Sequence, residues 1–238
     1  MQETVLEVVV TSADEAVEAV AGGAGRLELA TDMAADGMTP SLTEFLRVRD
    51  CVDVPLRIML RDKGGFQAAD VDRIRETAAA LKAAGADAFV LGFLTPDGAL
   101  DLPAVTAVLA SVPGSPWTFH RALDHAADRG AVRRAVAGLP GLDTVLTAGC
   151  VAGVEEGLAV VTAEADRRGE PGYSAAIMAG GGLMPEHVPT LRAHGVGAFH
   201  VGTSVRRDGW DSPVDRAAVL RWRRLIETDP EELRTRGR

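Results

Sequence analysis

Eight short apolar runs, each followed by a stretch with helical periodicity, predict an α/β fold: a single (β/α)8 TIM barrel. In order, the runs are VLEVVV from Val5, RLELA from Arg26, PLRIML from Pro55 and DAFVLGF from Asp87. PWTFH from Pro116, DTVLTAG from Asp143, SAAIMAG from Ser174 and AFHVG from Ala198 complete the set. Between runs, apolar residues fall three and four apart, as at Val154, Leu158, Val161 and Ala165, the spacing of one helix face. The chain has 238 residues, close to the length eight β/α units take, about 250, so one domain accounts for it.

Helix boundaries agree with this order. Ser12 precedes Glu15 and Ser41 precedes Glu44 in capping-box spacing, and Gly85 and Gly141 read as stops leading into strands. The competing architecture is an open doubly wound sheet, which would place a GxGxxG turn after its first strand. Val10 leads instead into Thr11-Ser12-Ala13-Asp14, with no glycine. The barrel is expected over residues 1–227, followed by a charged, frayed tail over 228–238.

The formal net charge of −9 argues against a nucleic-acid or anionic-membrane partner, but leaves room for a small anion held by local arginines. Cys51 and Cys150 are the only cysteines, far apart, which offers neither a disulfide framework nor a zinc knuckle. The first residues carry Glu3 and Glu7 rather than a basic then apolar leader, and no run approaches the roughly 18 apolar residues of a membrane helix. A cytoplasmic location is expected.

Alternation along the strands picks out functional candidates. Glu7 with Val9, Glu28 with Ala30, Met59 with Arg61 and Thr118 with His120 are inward pairs near strand ends, and His200 has a comparable place on the last strand. Singly, a strand glutamate is more often solvated, and a lone strand histidine more often a satisfied core residue. Two carboxylates, an arginine and two imidazoles at similar depth are better explained by a wet cavity, because an unpaired charge in an apolar core costs several kcal/mol. Such cavities sit at the C-terminal rim.

Gly180, Gly181 and Gly182 follow the seventh strand and Gly202 the eighth, where barrels often cradle phosphate with backbone amides; tight turning into a helix is the plainer use of such glycines. Arg121 could clamp an anion and Asp124 could orient His120, or the two could form a local ion pair that shapes the loop. His125, His187 and His194 lack metal-ligand spacing and read as surface residues. Cys150 follows the sixth strand and is the one thiol near the rim; an ordinary half-buried loop cysteine is its plainer reading. No metal ligand set is assigned from the residues.

The motifs LEV (Leu6–Val8), GGAGRLEL (Gly22–Leu29), GMTPS (Gly37–Ser41), IMLR (Ile58–Arg61), TFHRALD (Thr118–Asp124), LTAG (Leu146–Gly149), IMAGGG (Ile177–Gly182) and Phe199-His200 resemble those of the CutC family, from about Leu6 to Arg206. The resemblance implies a TIM barrel, a cytosolic homodimer and a role in copper homeostasis, with copper as the implied ligand. The family's two proposed Cu(I)-binding thiols, however, fall where this chain has Val9 and Ala30, and Cu(I) is a soft ion that wants sulfur. Lys63 also stands where the family's RPRGGDF has its second arginine. Two further readings stand beside the copper role. One is an isomerase- or lyase-type enzyme for a small anionic or phosphorylated metabolite, with Glu7 or Glu28 as base, His120 as acid and Arg61 as clamp. The other is a barrel without chemistry that serves as a binding scaffold.

Overall fold

The computed structural model describes residues 4–228. Its strands are β1 Val5–Val10, β2 Arg26–Leu29, β3 Leu56–Met59, β4 Ala88–Leu91, β5 Trp117–Phe119, β6 Leu142–Thr147, β7 Ala176–Ala179 and β8 Ala198–Val201. Each is followed by a helix: α1 Ala13–Ala21, α2 Leu42–Arg49, α3 Val71–Ala83, α4 Leu102–Ser111, α5 Arg129–Ala137, α6 Val154–Asp166, α7 Val188–Ala193 and α8 Arg216–Glu227. All eight strands pair in parallel and in chain order, and β1 pairs with β8 to close the barrel. The fold is the expected (β/α)8 barrel. The expected charged tail, Thr228 apart, lies outside the described residues.

The capping signals work as anticipated at Ser41, where a full reciprocal box forms with Glu44. At Ser12 only half forms: Ser12 accepts from the Glu15 amide, but the Glu15 carboxylate turns to Thr11 and to buried Arg206. No described helix is long and apolar enough to cross a membrane.

Strand alternation splits the interior in two. Leu6, Val8, Val10, Leu27, Leu29, Ile58, Phe89 and Phe199 belong to the large cluster between barrel and helices. The opposite parity fills the barrel itself, with small apolar groups at Ala30, Met59 and Val90 and at Leu146, Met178 and Ala198. Charged and hydroxylated side chains occupy the rest. Arg57 crosses the lumen from β3, donating to Thr118 Oγ1 at 2.8 Å and to Asp143 Oδ2 at 2.6 Å.

One close approach fixes the rim on the β6 side. A Cβ at Gly157, inside α6, would lie 1.9 Å from the Ala148 carbonyl oxygen, and a Cβ at Gly149 would meet the Gly157 backbone at 2.1 Å. Only bare backbone lets α6 seat against the loop that carries Cys150 and Val151. Alanine normally stabilises a helix interior over glycine by about 1 kcal/mol. Here the sign should reverse: Gly157→Ala is expected to lower the denaturant midpoint sharply. Gly130→Ala in α5 meets only side-chain atoms of Arg134 and Asp128 and should leave the midpoint unchanged or raise it. Equal effects of the two substitutions would contradict this packing.

Candidate functional site at the barrel mouth

A cavity of about 470 Å³ opens where the strands end, and its lining includes Val9, Glu28, Met59, Arg61, His120 and His200. Phe66, His125 and Trp210 flank its opening, and Asp36 and Met33 reach it from the loop after β2. Strand parity thus brings Glu28, Arg61, His120 and His200 into one space. Glu7 lies beneath them, wholly buried and in contact with His200.

Glu7 is doubly held. Arg26 Nε donates to its Oε2 at 2.5 Å, and Oε1 lies 2.7 Å from His200 Nδ1. Burial alone would raise this carboxyl, but Arg26 and the His200 hydrogen bond outweigh it and hold it at about 2. The histidine responds in the opposite sense: burial opposes its charge, yet Glu7 and Glu28 raise it above the ordinary imidazole value. An ionised Glu7 thereby fixes Nδ1 as the hydrogen-bearing nitrogen of His200.

Glu28 has no such support. It is 4% exposed, and its Oε2 is buried without a hydrogen-bond partner. Burial pushes its carboxyl up to about 7, with Glu7 adding to the rise and His200 and Arg61 opposing it. The other buried acids among the described residues, Glu7, Glu15, Asp124 and Glu164, all have arginine partners.

Arg61 is the mirror case. Four arginines are buried among the described residues. Arg57 pairs with Asp143, Arg133 with Glu164 and Arg206 with Glu15, whereas Arg61 has no acid within ion-pair distance. It donates through Nη1 to the Asp36 carbonyl at 2.5 Å, and its Nη2 lies 3.0 Å from His120 Nε2. Its guanidinium lies 5.1 Å from the Phe66 ring centroid. Thr39 Oγ1 fixes the backbone, donating to the Arg61 carbonyl at 2.9 Å and accepting its amide at 2.7 Å, which is the local work of the GMTPS segment. The Ala122 amide faces His120 Nδ1 at 3.2 Å, so both ring nitrogens face donors. Burial first, then Arg61, drives the His120 pKa well below the ordinary imidazole value. A neutral imidazole accepts at one nitrogen only, so one of these two donors is left without an acceptor there, and His120 is poorly suited to be the acid expected from the sequence.

Asp124 does not orient His120, contrary to one of the two readings of its spacing. Its carboxylate accepts from Arg121 Nε, Arg129 Nη1, Thr147 Oγ1 and the Ala148 amide, at 2.9, 2.8, 2.6 and 2.8 Å. The local ion-pair reading holds: TFHRALD and LTAG are two halves of one buried hub. Arg121 reaches the cavity wall, but its Nη2 also contacts the carbonyls of Cys150 and Val151.

Gly181, Gly182 and Gly202 line the cavity. Gly180 does not: its amide donates to the Thr147 carbonyl, and a Cβ there would meet His200 and Leu146 at 2.8 Å. At Gly181 the missing side chain makes room for Arg121, and at Gly202 for the Trp210 indole. Cys150 sits half-buried with its Sγ on the Gly153 carbonyl, outside the cavity lining. His187 is not a surface residue; it is 3% exposed and bonded to Glu155. His125 is exposed, as expected, but stacks on Phe66 at the mouth. Arg26, Arg57, Asp36 and Trp210 were not singled out in the sequence; Arg26 and Arg57 could have been, since Arg26 shares the inward parity of Glu28 and Arg57 that of Met59 and Arg61.

Among the described residues one triad of donor groups, Glu7, Glu28 and His200, has its donor atoms within 4.8 Å of one another. The donor set does not suit Cu(I), which favours sulfur. Both Glu7 oxygens are already engaged, by Arg26 and by His200 Nδ1, so only Glu28 and one ring nitrogen remain. Val9 and Ala30 are buried inward as their parity requires, and neither supplies a donor atom.

Glu28 also fixes a sign for stability. Unfolded, it ionises near 4.5; folded, at about 7. Between those values the native state keeps a proton that the unfolded chain has lost, so stability falls as pH rises, by about 3 kcal/mol across the window. Glu7, held at about 2, stabilises above 4.5 and loses that contribution as pH falls toward 2. Urea titrations across the Glu28 window should show a decline in the wild type that Glu28→Gln removes. Parallel curves for the two proteins would mean that this carboxyl is not desolvated.

The sequence model of the CutC family matches residues 4–205. A "family protein CutC" of Xanthomonas campestris pv. campestris strain 8004 is 36% identical over 204 residues, covering 84% of this chain and 83% of that protein. The mouse "Copper homeostasis protein cutC homolog" is 33% identical over 208 residues, covering 85% of this chain and 75% of the relative. Among solved structures, CutC from Streptococcus agalactiae superposes with a TM-score of 0.74 at 24% identity, covering 84% of this chain and 98% of that one. A Rubisco from Pyrococcus horikoshii reaches 0.64 at 19%, covering 95% of this chain and 58% of that one. These two superpositions speak to the barrel alone. The family match and the identity to its relatives speak to descent: the chain belongs to the CutC family.

Proposed function

We propose that this protein serves the copper homeostasis named for its relatives as a cytoplasmic barrel that binds a small organic anion at its mouth, and that it does not hold Cu(I) through thiolates. The observation that carries the anion is Arg61, the buried guanidinium without an acid partner. Its two terminal nitrogens face a carbonyl and a neutral imidazole, both weaker partners than a carboxylate or phosphate. Arg121 adds positive charge on the same wall, and the amides of Gly181 and Gly182 donate to no backbone acceptor among the described residues. A homodimer is the assembly the family resemblance implies, and light scattering tests it directly.

Calorimetric titration with inorganic phosphate is expected to give binding that Arg61→Met weakens about tenfold or more, the loss of one charge-assisted interaction. Undiminished binding in the variant would place the anion elsewhere and defeat this reading. For the metal, competition with a Cu(I) chelator should show weak binding by the wild type and a large gain in the Val9→Cys, Ala30→Cys double variant. Wild-type affinity equal to the double variant's would make the missing thiols irrelevant and restore copper as the direct ligand.

A further inference from the structure

We propose that the barrel mouth is also a proton-transfer active site, in which Glu28 moves a proton between adjacent carbons of a small anionic hydroxy-aldehyde while His200, positioned by Glu7, protonates the neighbouring oxygen. The proposal rests on the anion-binding reading, because Arg61 would hold the substrate's anionic group.

Three features of the geometry point there. Glu28 is the buried acid the fold leaves without an arginine, with one oxygen sealed from solvent and unbonded. A static structural role would supply a partner, as it does for Glu7, Asp124 and Glu164. The second feature is separation. A Glu28 oxygen and a His200 ring nitrogen lie within 4.8 Å but share no hydrogen bond, a gap that lets both reach neighbouring atoms of one molecule. The third is the Glu7–His200 contact at 2.7 Å, which takes Nδ1 and leaves Nε2 for a ligand in the cavity that His200 lines.

The chemistry balances without an oxidant or further reactant. With an aldehyde at C1 and a hydroxyl at C2, the Glu28 carboxylate takes the C2 proton. The C–H electron pair forms the C1–C2 double bond, and the carbonyl pair moves to the C1 oxygen, which takes a proton from His200. The enediol then returns its C2 hydroxyl proton to His200, and Glu28 delivers its proton to C1, leaving the ketone. Desolvation of Glu28 makes its carboxylate a stronger base than one in water. Glu28 is faced by Glu7 from β1, Arg26 from β2, Arg61 beyond β3 and His200 from β8, and the cations offset the charge that develops on oxygen.

The sign of the pH dependence follows. Rate should rise as Glu28 ionises at about 7 and fall when His200 loses its proton, above the ordinary imidazole value. Glu7→Gln removes the partner that raises His200, so its falling limb should move to lower pH; a purely structural role would lower the rate equally at every pH.

The test incubates the full-length protein in D2O with glyceraldehyde 3-phosphate, ribose 5-phosphate and glucuronate. Proton NMR follows deuterium at C1 and C2, and calorimetry measures the binding of each probe separately. The expected result is exchange of at least one bound probe, reduced about 100-fold or more in Glu28→Gln and His200→Asn with binding retained. Wild-type protein that binds a probe without exchange above buffer overturns the proposal and leaves the anion reading standing. So does exchange unchanged in both variants. If no probe binds, both readings fall. Circular dichroism of the near-isosteric Gln and Asn variants separates lost chemistry from lost fold.

Discussion

Closing a barrel brings together strands that are far apart in sequence, and here the seam is held by charge. Glu7 on β1 meets His200 on β8 across 193 residues of chain and Arg26 on β2, its direct register partners on the two flanking strands. A carboxylate wholly removed from water is tolerated only with strong partners, and Glu7 has two. The consequence reaches past stability. An ionised Glu7 fixes the tautomer of His200 and raises its affinity for a proton. Burial is the main reason the neighbouring Glu28 is hard to ionise, and Glu7 adds to it by repulsion. One anchored charge therefore biases the states of the two groups above it.

Around that anchor most buried charges among the described residues have a partner of opposite sign, and the two that do not, Glu28 and Arg61, both line the cavity. Arg57 reaches across the lumen to Asp143, Arg206 returns to Glu15 under the Trp210 indole, and Asp124 and Glu164 share Arg129. Arg61 and Glu28 then stand in the same cavity, opposite in sign yet unpaired. Direct pairing would neutralise both. Asp36, whose left-handed backbone at φ 65° presents its carbonyl, holds the guanidinium elsewhere, beside neutral His120. Thr39 locks the Arg61 backbone in the same posture. A cation and an acid kept apart by built supports suit a ligand that comes between them.

Much of this was legible because parity along a strand is a rigid rule. Once eight strands are recognised, Glu7, Glu28 and His200 must face the lumen if they are near the right depth. What parity could not supply was the partner of each. Arg26 obeys the same alternation, but an arginine at the first residue of a strand reads as a solvated end; only closure against β1 and β7 places it under Glu7 and beside Met178. Asp36 contributes through its backbone, and no residue pattern announces a carbonyl. Trp210 arrives from a short turn beyond β8 and lies over Gly202 by tertiary packing. His187 reads as surface because no sequence spacing announces its partner Glu155, which lies 32 residues away on α6. The HRALD spacing fitted two contacts equally well, and the choice between them was made by Thr147 and Ala148, from another strand altogether.

That Val9 and Ala30 carry no donor atom is instructive because the charged groups are arranged independently of them. Val9 lines the cavity, while Ala30 is fully enclosed with Met59 and Val90, packed beneath Gly37, where a Cβ would come within 3.3 Å of it. Neither position touches the Glu7–Arg26 pair or the Thr39–Arg61 clasp through a side-chain polar atom, so exchanging sulfur for methyl groups disturbs no hydrogen bond. The arrangement of charge at this barrel mouth is therefore independent of what occupies positions 9 and 30. It is tied into barrel closure itself, through Glu7 and His200 at the β1–β8 seam, and cannot be altered without altering how the barrel closes.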